Sequence, residues 1–175
     1  MKHGRIAMDN KDVAALRRMT DGANSYVEIG TLWGGSAIEV ARANPLIHIW
    51  CIDPFNGYYD GKDDWTNGEQ FASIKLVTEN MEEAGVLDRV ILVQANSYPF
   101  PLPDLTFDTG LVDGCHTPEC VRQDIDSLKV RCGKIAVHDI DDHAVNEVVN
   151  EYLVGDPAWR KTDATRRIAV FEKVI

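Results

Sequence analysis

The strongest constraint in this sequence is a rhythm. Short runs of apolar and β-branched residues alternate with segments of helical periodicity, and most of those runs close on a glycine or an acid. The runs are SYVEIG (25–30), HIWCID (48–53), VILVQ (90–94), FDTGLVD (107–113) and KIAVHD (134–139). Between and after them, residues 35–43, Glu69 to Ala84, 118–130 and 142–153 repeat apolar side chains every three to four positions, which predicts helices. Alternation of this kind builds a parallel sheet with helices on both faces.

Two further segments complete the expected architecture. Residues 9–22 read as a helix that Asp9 or Asn10 caps and Gly22 ends. The tail WRKTDATRRIAVFEKV reads as two strands joined by a turn, an antiparallel edge on a parallel sheet. The fold class expected is therefore α/β: a Rossmann-like, doubly wound, mostly parallel seven-stranded sheet with an antiparallel C-terminal hairpin. The length of 175 residues and the lack of linkers or repeats predict a single domain over 1–175, with 1–24 as an N-terminal helical extension.

Composition narrows the partners. The formal net charge of −10 repels phosphate backbones, so nucleic acid is not an expected partner. No apolar stretch reaches the ~20 residues of a membrane span, and the first residues turn polar too soon for a secretion signal. The expected location is cytoplasmic. Cys51, Cys115, Cys120 and Cys132 form no C-x-x-C pair, which argues for reduced thiols over a zinc site. The pairs Arg17-Arg18 and Arg166-Arg167 read as solvated faces.

Open parallel sheets bind ligands beyond the carboxyl ends of their strands. The residues there are Glu28 to Gly30, Asp53, Asn96-Ser97, Asp113 and His138-Asp139. The first turn, E-I-G-T-L-W-G-G-S, places Gly30 and Gly34 where the backbone turns tightly, with Ser36 opening the next helix. It is not the G-x-G-x-x-G of dinucleotide folds, and Glu28 suits a ligand carrying an ammonium and a sulfonium better than a pyrophosphate. Asp53 ends the second strand, where an acid accepts hydrogen bonds from ribose hydroxyls. Asn96 and Ser97 either contact a base or cap a turn.

Asp113, His138 and Asp139 end neighbouring strands and gather oxygen ligands beside an imidazole. Either a divalent cation such as Mg²⁺ balances them, or they cap helices and bond locally. His116 faces the same mouth as a general base, with His138 as ligand or base; His143 reads as a surface residue. The loop 54–67 carries Phe55, Tyr58, Tyr59 and Trp65, which either close over a ligand as a lid or pack on the sheet edge.

The runs VEIGTLWGGS, IDPFNG, ENMEEAGVLDRVILVQANS, FDTGLVDGCHTPECVRQDID and GKIAVHDID together resemble class I S-adenosylmethionine (SAM)-dependent methyltransferases. They are most similar to the small group that includes macrocin-type sugar O-methyltransferases, cousins of the catechol O-methyltransferase type. The resemblance implies that Glu28, Gly30 and Gly34 form the SAM-binding turn, that Asp53 holds the ribose and that Ser97 lies beside the adenine. It also implies that Asp113, His138 and Asp139 sit where metal-dependent relatives hold a divalent ion. Two departures stand out: Cys115 occupies a place where relatives often have an acid, and His138 one where Asp is usual. The expected function is O-methylation of a small-molecule hydroxyl, with a homodimer as the default assembly. The rival readings are a non-catalytic SAM-binding module and an NAD-binding oxidoreductase.

Overall fold

The computed structural model describes residues 6–56 and 72–174. Seven strands of the described residues form one sheet: β1 Ser25–Ile29, β2 His48–Asp53, β3 Val90–Gln94, β4 Phe107–Val112, β5 Cys132–Val137, β6 Trp159–Ala164 and β7 Ala169–Lys173. Their order is β3-β2-β1-β4-β5-β7-β6. The first five are parallel, and β7 runs antiparallel between β5 and β6. The chain moves outward from β1 to β3, then returns to lay β4 on the other side of β1. That reversal opens a crevice at the carboxyl ends of β1 and β4.

Among the described residues five α-helices cover the sheet: α1 Asn10–Met19, α2 Gly35–Ala43, α3 Ile74–Ala84, α4 Pro118–Lys129 and α5 His143–Val149. The period-two alternation of each strand divides the core between the two faces. Tyr26, Ile49, Cys51, Leu111, Ala136 and Val170 pack with Leu16, Ile38, Val77 and Met81 from α1, α2 and α3. Val27, Ile29, Ile52, Val112, Ile135, Val137 and Phe171 pack with Ile125, Leu128, Val145 and Val148 from α4 and α5. Glu28 shares the parity of Tyr26, so its carboxylate points to the face covered by α1, α2 and α3.

Local chemistry sets the helix ends. Asp9 caps α1 by accepting from the Lys11 and Asp12 amides, and Asp12 reaches back to the Asp9 amide. Thr117 caps α4, and Pro118 supplies its first turn. The helix expected over 142–153 is α-helical only to Val149; a π turn then carries the chain from Asn150 to Val154. The strand expected over 134–139 instead starts at Cys132, which pairs with Phe107, and stops at Val137. His138 and Asp139 thus lie in the turn beyond it. Of the aromatic loop, Phe55 is buried in the core with Val77 and Met81. Tyr58, Tyr59 and Trp65 lie outside the described residues.

Candidate functional site

The strand ends converge as their parity and order require. Backbone hydrogen bonds continue one residue past the strands: the Gly30 amide donates to Ile52 O, the Asp113 amide to Ile29 O and the His138 amide to Val112 O. The turns are therefore held as rigidly as the sheet. They frame a cavity of about 630 Å³. Gly30, Thr31 and Leu32 form one wall, followed by Asp53, then Asn96, Ser97 and Tyr98, then Asp113, Gly114 and Cys115, with Asp139 beyond. A cavity of that size suits a single ligand of nucleoside dimensions.

The glycine turn depends on close internal approach. Gly30 has φ +87°, and a Cβ there would sit 2.1 Å from the Asp113 carbonyl oxygen. Gly34 has φ +85°, and its Cβ would meet the Met81 methyl at 2.6 Å. Both glycines let protein pack on protein, and of the two only Gly30 also lines the cavity. Asp53 holds the same turn from below. Its Oδ2 accepts from the Thr31 and Leu32 amides at 2.9 and 3.0 Å, and its Oδ1 from the Phe55 amide at 2.7 Å. A carboxylate fixed by three amides is pre-oriented toward the cavity it lines.

Glu28 lies beneath this surface, fully buried. Its Oε2 accepts from Ser36 Oγ at 2.8 Å and Tyr26 Oη at 3.0 Å. Burial pushes the Glu28 carboxyl up to about 7, although the bonds from Ser36 and Tyr26 favour its charged form. Ser36 lines the cavity, so it connects the buried acid to the ligand space. Asp124 on α4 is a second buried acid, behind Gly114, and burial pushes it up to about 6.

Around β5 the charges interlock. The His138 ring is buried; its Nδ1 lies 3.0 Å from Asp113 Oδ1 and 3.3 Å from Asp139 Oδ2, and its Nε2 lies 3.4 Å from Asp12 Oδ2. Burial alone would lower its pKa, but Asp113 and Asp139 outweigh that and hold it up at about 10. Burial raises the Asp113 carboxyl despite the His138 contact. Burial also opposes the charge on Asp139, yet His116, His138 and Arg167 keep that carboxyl well below the usual range. His116 Nε2 lies 3.0 Å from Asp139 Oδ2. Asp139 adopts φ +54°, a strained conformation for a non-glycine residue.

These contacts sort the residues that the sequence singles out. Gly30, Ser36, Asp53, Asn96, Ser97, Asp113 and Asp139 line the cavity; Glu28, Gly34 and His138 lie behind its wall, and His116 stands beside Asp139 outside the lining. His138, expected as ligand or base, is placed away from the cavity, its ring buried and both ring nitrogens facing carboxylates. His116 takes its place in the group Asp113, His116 and Asp139, whose ligand atoms lie within 4.8 Å of one another. An ion in this group would compete for oxygens that are already engaged, since both Asp139 oxygens and Asp113 Oδ1 face Arg167 or an imidazole, and on that chemistry a metal fits poorly. His143 is exposed, as expected.

Sequence reasoning misses Arg167, Asp12 and the wall formed by Ile6, Ala7 and Met8. Arg167 sits in the turn between β6 and β7. Because β7 runs antiparallel to β5, that turn returns to the carboxyl end of β5, and this topology is the signal that could have found it.

The comparisons agree with this geometry. No curated protein matches the sequence significantly. Among solved structures, the chain is similar to the cofactor-bound Rv0187 from MTB, at 23% identity and TM-score 0.71, with 97% of this chain and 82% of that one covered. It is similar to the O-methyltransferase TomG from Streptomyces achromogenes, involved in tomaymycin synthesis and solved with SAM, at 20% identity and TM-score 0.68, covering 95% and 81%. It is also similar to an O-methyltransferase from Bacillus cereus solved with SAH, at 16% identity and TM-score 0.66, covering 95% and 82%. At these identities the likeness shows the shared fold. A family model described as "Methyltransferase domain" matches residues 27–143, most of the sheet and every strand end that frames the cavity, and the chain belongs to that family.

Proposed function

We propose that this chain is a SAM-dependent methyltransferase that methylates a hydroxyl of a small molecule. The observation that carries the reading is the convergence of Gly30 to Leu32, Asp53, Ser97 and Asp113 on one cavity at the carboxyl edge of the sheet. Among the described residues, the charged side chains lining it are Asp53, Asp113, Asp139 and Arg167. An acidic lining favours a ligand that carries positive charge, as SAM does at its sulfonium and ammonium. In this reading Asp53 accepts the ribose hydroxyls, Asn96 and Ser97 border the adenine, and Asp113 with the turn above Glu28 and Ser36 receives the amino-acid end.

SAM, when bound, supplies a methyl carbon activated by its sulfonium. The protein's part is to align an acceptor oxygen with that carbon and to take the acceptor's proton. His116 is the base: Asp139 holds its Nε2, fixes the tautomer and stabilises the imidazolium that results. The proton passes to His116 as the new C–O bond forms and the C–S bond breaks. Asp113 and Asp139 keep the acceptor's side of the cavity polar, and Ile6 to Met8 provide an apolar wall against the acceptor body. No described helix is long and apolar enough to cross a membrane.

Calorimetry with SAM, S-adenosylhomocysteine and NAD tests the reading. SAM and its product should bind, and NAD should not. Asp53→Ala should weaken SAM binding by about 1.5–3 kcal/mol, the range for a hydrogen bond to a charged group. Unchanged affinity in that variant would remove Asp53 from the site. SAM binding without turnover on a broad panel of hydroxyl acceptors would favour a non-catalytic module.

A further inference from the structure

The acidic cluster beyond β5 already contains its own cation. Every carboxylate oxygen of Asp139 is engaged: Oδ1 accepts from the Arg167 guanidinium, and Oδ2 faces His116 at 3.0 Å and His138 at 3.3 Å. Arg167 is itself fully committed. Its NH2 group holds Asp139, its Nε lies 3.6 Å from Asp141 Oδ1, and its NH1 donates to Ala7 O at 3.1 Å. The backbone repeats the link, since the Ile140 amide donates to Arg167 O at 3.0 Å. That bond pins the turn in which Asp139 holds its strained φ of +54°.

Asp12, Asp113 and Asp139 surround His138, while Arg167 closes the group from the cavity side. A divalent ion would have to come within ~2.0–2.1 Å of the carboxylate oxygens and displace a guanidinium hydrogen-bonded to Asp139 and to Ala7 O.

We propose that the Arg167 guanidinium occupies the seat that a divalent ion holds in metal-dependent methyltransferases, so that this enzyme works without a metal. The role in catalysis rests on the methyltransferase reading above; the cation seat does not. Arg167 acts as a positioning residue. It orients Asp139, which holds His116, and it anchors the apolar wall through Ala7.

The test reads Mn²⁺ binding to the purified protein, with no cofactor or acceptor present, by the loss of the free-ion electron paramagnetic resonance signal. Wild-type protein should take up no stoichiometric Mn²⁺ from millimolar solution. Arg167→Met keeps the apolar stem and removes the charge. It should bind one Mn²⁺ at least about tenfold more tightly than wild type, a gain of about 1.4 kcal/mol. Adding Asp139→Asn to that variant should abolish the uptake. One Mn²⁺ bound by wild type and lost in Asp139→Asn would overturn the proposal, as would a folded Arg167→Met variant that gains nothing. Should Arg167→Met fail to fold, the wild-type titration decides alone. Once an acceptor is in hand, wild-type turnover should be unchanged by a chelator, and a chelator-sensitive rate restored by Mn²⁺ would also overturn it.

Discussion

At the scale of single residues, this site shows how one carboxylate can organise several partners. Asp53 binds three amides and still lines the cavity; Asp139 binds two imidazoles and a guanidinium. In the proposed mechanism His116 is the base. His116→Ala should lower kcat by about 10²–10⁴-fold, with SAM affinity unchanged, and should flatten the acid limb of the pH–rate profile. A rate within a few-fold of wild type would place the base elsewhere. Gly30 shows a different constraint. A methyl group there would strike the Asp113 carbonyl at 2.1 Å, so the turn leaves room for hydrogen alone.

At the scale of elements, the site depends on three pieces that are distant in sequence: α1, the turn after β5 and the β6–β7 turn. Asp12 joins them. It approaches His138 Nε2, accepts from Thr165 Oγ1 and bonds back to its own helix cap. Asp12→Ala removes one partner of a buried ion pair, which should cost about 3–5 kcal/mol in urea unfolding. A loss below about 1 kcal/mol would mean that α1 is held by its apolar face alone. The elements themselves were legible in the sequence, because strands buried on both faces read as apolar runs and the helices keep a clean period. The strand ends at Asp53 and Asp113 were legible for the same reason. His138 was not, since the apolar pattern of KIAV ends two residues before Asp139, and alternation cannot show which way a turn residue points. Arg167 was hidden because a basic pair in a hairpin turn looks solvated until the pairing of β7 with β5 is known.

At the scale of the whole molecule, buried titratable groups shape the response to pH. Glu28 and Asp124 keep protons in the folded state that their unfolded counterparts release, so their contributions to stability fall as pH rises through about 7 and about 6 respectively. His138 contributes fully below its unfolded value of 6.5, and its contribution is lost as pH rises through about 10. Asp139 works in the opposite sense, stabilising above 3.8 and losing that contribution in stronger acid. The net charge of −10 adds self-repulsion at alkaline pH. Thermal stability should therefore peak at mildly acid pH and decline through neutrality. Glu28→Gln should flatten the decline between 4.5 and about 7. A melting temperature that climbs steadily from mildly acid to alkaline pH would contradict this balance.

The position of β7 between β5 and β6 bears on how the protein is made. A ribosome releases β1 to β5 in order, and these can pair as they emerge. The neighbour that β5 requires, β7, is synthesised only after β6. Asp139 thus waits for its guanidinium until β6 has been synthesised, and a nascent chain stopped after β6 would carry the cavity's acids without the arginine that steadies them.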